Sequence, residues 1–150
     1  MGRRFALQAL LDVATSEADS AAASLGDLNR QLQLQEQQLT LLLQYRADYQ
    51  QRLRRAVASG LDGAGLRNFN DFMERLEQAI RQQHAAVDAA RERAGQGRDH
   101  WQTKQRKSKA FDALSQRVTA TAMRSEISRE QKSQDDFASR AARHKSLANR

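Results

Sequence analysis

Residues 32–53 read LQLQEQQLTLLLQYRADYQQRL, and residues 69–87 read FNDFMERLEQAIRQQHAAV. In the first run Leu39, Leu42, Leu43, Tyr45, Tyr49 and Leu53 recur three and four apart. In the second run Phe69, Phe72, Met73, Leu76, Ile80 and Val87 do the same. That is the helical period, which gathers apolar side chains on one side of a helix. Between the runs stands Ser59-Gly60-Leu61-Asp62-Gly63-Ala64-Gly65. Gly60 suits the left-handed conformation that ends a helix. Asn68 is positioned to cap the next helix, with Asp71 in its first turn. A connection this short turns two long amphipathic helices antiparallel.

The pattern therefore predicts an all-α fold, a long antiparallel two-helix coiled-coil hairpin. Helix one spans about 3–59, the turn about 60–67 and helix two about 68–143, in a single domain over 1–150. Working outward, the first arm carries a heptad ladder from Leu7 through Leu11, Ala14, Ala18, Ala21, Leu25, Leu28, Leu32, Leu39, Leu42, Tyr49 and Leu53 to Ala56. Steps of four and three alternate, and only Gln35 and Arg46 interrupt them. A ladder this long is a coiled-coil signal. At 1.5 Å per residue the first helix would be about 85 Å long.

The second ladder runs Phe69, Met73, Leu76, Ile80, Gln83, Val87, Ala90 and Ala94. It weakens at Gly95-Gln96-Gly97, where each glycine costs about 1 kcal/mol relative to alanine in a helix. It resumes at Trp101 and passes Phe111, Leu114, Val118 and Ala122 towards Ile127. A turn at this place pairs residues whose numbers sum to about 126, so Leu7 meets the Val118 region. Everything beyond Ala122 then overhangs the first arm. That polar C-terminal helical overhang has little to bury and is expected to be frayed, or ordered only by a partner.

Composition agrees with a thin, elongated helical protein. The chain has 150 residues, 5% aromatic and 29% charged, with no proline and no cysteine. The absence of proline permits long helices. Without cysteine there is no disulfide framework, which is compatible with a reducing compartment. Residues 98–150 hold 13 basic and 6 acidic side chains, which is the whole net charge of +7. Such a segment meets nucleic acid, anionic lipid or an acidic protein surface, and the count does not choose among them. Gln8 and Asp12 interrupt any signal core after Arg3 and Arg4, and Ala6 stands where myristoylation needs Ser or Thr. No window approaches the roughly 20 apolar residues of a membrane span, so the expected location is the cytoplasm, with no direct membrane insertion.

The chemistry of a reaction centre is missing from the pattern. His84, His100 and His144 lie far apart and form no metal motif. No nucleophile, base and acid can be argued together, no phosphate loop is present, and no cofactor is expected. The carboxylates fall on helix surfaces that offer no cleft. The expectation is a protein that is not an enzyme.

Two features exceed what a two-helix seam needs. Gln38, Leu42, Tyr45 and Tyr49 form one line on the first arm, beside a second line of Leu39, Leu43, Leu53 and Val57. On the second arm Phe72, Leu76, Ala79 and Gln83 form a line beside Phe69, Met73, Ile80 and Val87. A seam buries one line per arm, so the surplus either broadens the seam or faces a partner. The second feature is Lys104, Arg106, Lys107 and Lys109 between Trp101 and Phe111. It reads as a solvated helix face whose stems cover the seam, as a single-stranded nucleic-acid site, or as a dock for an acidic protein groove. A basic nucleic-acid-binding coiled coil and a purely structural coiled coil are the alternative functions.

Several motifs, in order, resemble a known family. They are Phe5-Ala6-Leu7 with Leu10-Leu11; Tyr45-Arg46-Ala47-Asp48-Tyr49; Gly60, Leu66 and Asn68; and Phe72, Leu76 and Ala79-Ile80. The tail adds Lys107-Ser108-Lys109-Ala110, Leu114 with Arg117, and Glu130-Gln131-Lys132 followed by Asp135-Asp136-Phe137. In this order and spacing the chain resembles the flagellar export protein FliJ family over nearly its whole length.

The resemblance implies a coiled coil like the central stalk of rotary ATPases, on the cytoplasmic side of the flagellar type III export machine. It implies three partners: the hexameric export ATPase FliI, the export gate protein FlhA and emptied export chaperones, with no nucleic acid. The gate-facing patch carries over to Gln38, Leu42, Tyr45, Tyr49, Phe72, Leu76, Ala79 and Gln83. Family members often have histidine where Gln83 stands, and His84 is adjacent here. The ATPase end carries over to Phe5, Leu10, Leu11, Arg117 and Arg124.

Overall fold

The computed structural model describes residues 2–149. Two helices account for it, α1 (Gly2–Ala58) and α2 (Gly63–Ala148), packed on each other as a hairpin. Each of two compact units draws a segment from both helices. One holds residues 18–103, and the other holds residues up to Glu17 together with those from Lys104 onward.

The turn is tighter than its glycine content predicts. Gly60 has φ +92°, and Leu61 N–H donates to the Ala56 carbonyl at 3.1 Å while Gly60 N–H donates to Val57 at 3.2 Å. This paired pattern closes a helix C-terminus with a left-handed residue. Asp62 then opens α2, because its Oδ1 accepts from the Gly65 N–H at 2.8 Å. Asp62, not Asn68, is the cap, and α2 begins at Gly63 rather than near residue 68. A cap that satisfies an orphan amide outweighs the modest propensity cost of glycine in a first turn.

The earlier turn moves the register. Tyr49 meets Phe72, and Glu17 meets Lys104; both pairs sum to 121, which is twice the midpoint between Gly60 and Leu61. The expected sum of about 126 was therefore roughly one helical turn too large. Residues near the start of α1 lie beside Ser115 and Thr119.

The first ladder is shielded at every step from Leu7 to Ala56, Gln35 and Arg46 included. The second is shielded in fours and threes from Phe69 to Ala122, through Gly97, Lys104, Ser108 and Ser115. Ser115 occupies the ladder position, and Leu114 is 46% exposed beside it. The Gly95-Gln96-Gly97 segment does not interrupt α2. A Cβ on Gly97 would come 2.6 Å from Leu28 Cδ1, so glycine lets the leucine of the facing helix settle against the backbone.

The buried core is small: Ala14, Ala18, Ala21, Leu76, Ile80, Val87, Ala90 and Ala94. From Met123 to Asn149 every residue is exposed, yet α2 continues to Ala148. The overhang is thus helical rather than frayed. Its run lacks proline and glycine and is rich in good helix formers.

Ile80→Ala should destabilise the hairpin by about 2–4 kcal/mol in urea titrations followed by circular dichroism, because Ile80 is 3% exposed. Gly60→Ala should cost about 1 kcal/mol through its positive φ.

Candidate interaction surfaces

The surplus aromatics separate once the helices pack. Tyr49 lies on the ladder, with ring centroids 5.0 Å from Phe69 and 4.1 Å from Phe72. It is half-buried and works as part of the seam. Tyr45 stands one turn away at 63% exposure, and Phe72 is 39% exposed. Gln38 is exposed, and Leu42 and Ala79 are half-buried between these groups. Leu76 is buried at 8% exposure and belongs to the core. Gln83 is held across the seam, its Nε2 donating to the Gln35 carbonyl at 2.9 Å and to Gln35 Oε1 at 2.7 Å. The open part of the expected patch is therefore Gln38, Tyr45 and Phe72, flanked by Leu42, Tyr49 and Ala79.

Polar residues at ladder positions are paired rather than misplaced. Arg46 Nη1 lies 3.2 Å from Glu77 Oε2, opposite it on α2. Lys104 Nζ donates to Glu17 Oε2 at 3.0 Å, and the hydroxyls of Thr15 and Ser108 are 3.2 Å apart. The two interruptions of the first ladder, Gln35 and Arg46, are thus answered by Gln83 and Glu77. What was missing was the register that joins them.

At the other candidate end, Phe5 is 81% exposed and Leu10 is 51% exposed. Leu11 is shielded on the ladder, while Arg117 and Arg124 are exposed. An open depression of about 750 Å³ beside Phe5 is lined by Arg4, Ala6, Gln8, Ser115 and Thr119. In the basic run, Lys104 is engaged by Glu17. Trp101 and Phe111 sit half-buried at ladder positions, where their rings serve the seam.

Two exposed leucines escaped the reading of surplus lines: Leu34 and Leu41, at 57% and 59% exposure. They lie off the ladder at i, i+7, a spacing that a search for seam positions passes over. Among the described residues no group of three or more His, Cys, Asp or Glu is placed to hold a metal ion. None of the described helices is long and apolar enough to cross a membrane.

A helical hairpin of this kind, with polar pairs in its seam and aromatic groups left on its flanks, falls in the class of antiparallel coiled-coil proteins. Residues 3–147 match the family model described as "Flagellar FliJ protein". The flagellar FliJ protein of Salmonella typhi is 32% identical over 145 residues, covering 97% of this chain and 99% of that protein. The flagellar FliJ protein of Escherichia coli (strain K12) is 30% identical over the same shares. The chain belongs to the flagellar FliJ protein family.

The two tyrosines should respond differently to truncation. Tyr49→Ala removes contacts with two rings and should cost about 1–3 kcal/mol of stability, whereas Tyr45→Ala should cost under about 0.5 kcal/mol. Thermal unfolding of the two variants side by side checks the split.

Proposed function

We propose that this chain is a non-catalytic adapter of the flagellar type III protein export apparatus, acting at the cytoplasmic face of the inner-membrane export gate. In this reading the strip around Gln38, Tyr45 and Phe72 meets the gate protein FlhA. The end carrying Phe5, Leu10, Arg117 and Arg124 meets the hexameric export ATPase FliI and promotes its assembly and activity. Emptied export chaperones are the third class of partner.

The observation that carries the reading is the match to flagellar FliJ proteins along residues 3–147. The open aromatic groups support it, because such side chains dominate protein-binding patches. The charge distribution supports the ATPase contact: residues 98–150 carry 13 basic and 6 acidic groups, suited to acidic loops lining a ring.

The mechanism needs no chemistry from this chain. A hairpin of two unlike helices has no rotational symmetry, so each subunit of a ring of identical subunits meets a different face. Contacts that differ from subunit to subunit favour the closed ring and bias one nucleotide site over the others.

Arg117→Glu combined with Arg124→Glu should bring ATP turnover by the export ATPase back to its unstimulated rate. Tyr45→Ala should leave stimulation unchanged and weaken binding to the gate's cytoplasmic domain about tenfold, with helicity preserved. Intact stimulation by the charge-reversed chain would remove the ATPase contact from this proposal. Gate binding unaffected by Tyr45→Ala would remove the other.

A further inference from the structure

We propose that the gate-facing strip of α1 continues through Leu34 and Leu41, and that these leucines take an uncharged, apolar segment of the gate protein. The inference rests on the gate reading above and extends it in place and in chemistry.

The geometry comes from α1 alone. Leu34, Gln38, Leu41 and Tyr45 fall at i, i+4, i+7 and i+11 on one uninterrupted helix, which puts them in a single row. Leu34, Leu41 and Tyr45 are 57%, 59% and 63% exposed. None of them is a ladder position, so the hairpin has no internal use for them. Tyr45, the last member of the row, is the i, i+4 neighbour of Tyr49, whose ring stacks on Phe72 at 4.1 Å.

Charge identifies the occupant. The chain is 29% charged, yet residues 31–45 hold a single charged side chain, Glu36, across fifteen positions. Glu36 Oε1 faces Arg91 at 3.7 Å. The arginines that bound the window are also engaged, Arg30 by Asp27 and Arg46 by Glu77. The groove beside Leu41 is edged by Gln33, Gln37, Thr40 and Gln44, neutral groups that both donate and accept, and by Glu36, whose carboxylate Arg91 already faces. A charged partner would find one carboxylate here, already paired, whereas an apolar one gains from the exposed leucines. Depletion of charge around large apolar side chains is the signature of an interface centre. The row at i, i+4 and i+7 is the spacing by which one helix grips a partner segment.

Calorimetric titration of the full chain with the gate's purified cytoplasmic domain tests this. The chains compared are wild type, L34Q/L41Q, L34M/L41M and Y45A, each checked for helicity. L34Q/L41Q should bind at least about tenfold more weakly, as should Y45A, and L34M/L41M should bind close to wild type. Wild-type affinity should change by less than about threefold between roughly 0.05 and 0.5 M salt. If L34Q/L41Q binds like wild type while Y45A is weakened, the extension is wrong and the gate reading stands. If all four chains bind alike, or the wild type does not bind, both are wrong. A tenfold or greater loss with salt overturns the uncharged occupant. A wild-type chain that is dimeric by molar mass, and monomeric as L34Q/L41Q, would assign the leucines to self-association instead.

Discussion

The mutual burial of two heptad ladders is the constraint on which everything else depends. Neither helix has another element to pack against, and the core they share is mostly alanine, with Leu76, Ile80 and Val87 as its larger members. Most large ladder residues are only half-buried. Over their paired length the helices therefore owe their order to each other rather than to a thick interior. Because burial is shallow, the position of the turn matters as much as the composition of the ladders. A shift of one heptad step would still pair apolar with apolar over much of the length.

Polar pairs remove that ambiguity. Gln35 with Gln83, Arg46 with Glu77 and Glu17 with Lys104 each satisfy groups at ladder positions, in one register only. Slipping the helices would break these pairs together; each is part-exposed and contributes under about 1 kcal/mol, so they favour this register as a set. Polar groups at seam positions commonly trade stability for a unique alignment. Gly97 adds a steric element, since a side chain there would require Leu28 of the facing helix to shift.

A seam one line wide on each helix leaves most of the surface outside it. The flanks differ in kind. Along residues 31–45 the exposed surface is glutamine-rich with one carboxylate, Glu36, and its apolar members are Leu34, Leu41 and Tyr45, while residues 98–150 carry the entire net charge. Neutral apolar surface binds through desolvation and is indifferent to salt, whereas a basic surface attracts partners over distance and weakens as salt rises. One hairpin can thus present two chemically distinct grips without any enclosed site.

The sequence by itself determined the class of fold, the antiparallel arrangement, the ladder positions on α1 and the family, because periodicity and spacing are local properties that survive packing. It also singled out Tyr45, Phe72, Arg117 and Arg124, which are exposed. Only the tertiary structure decided that Asp62 opens α2, which moved every cross-helix pair by about one turn. The ladders already held Leu11, Leu76, Gln83 and Tyr49; the register decided that Gln83 meets Gln35 and that Tyr49 meets two rings. Seam and flank lie only one residue step apart on a helix surface, so the side of the boundary on which a side chain falls depends on what the opposite helix brings to it.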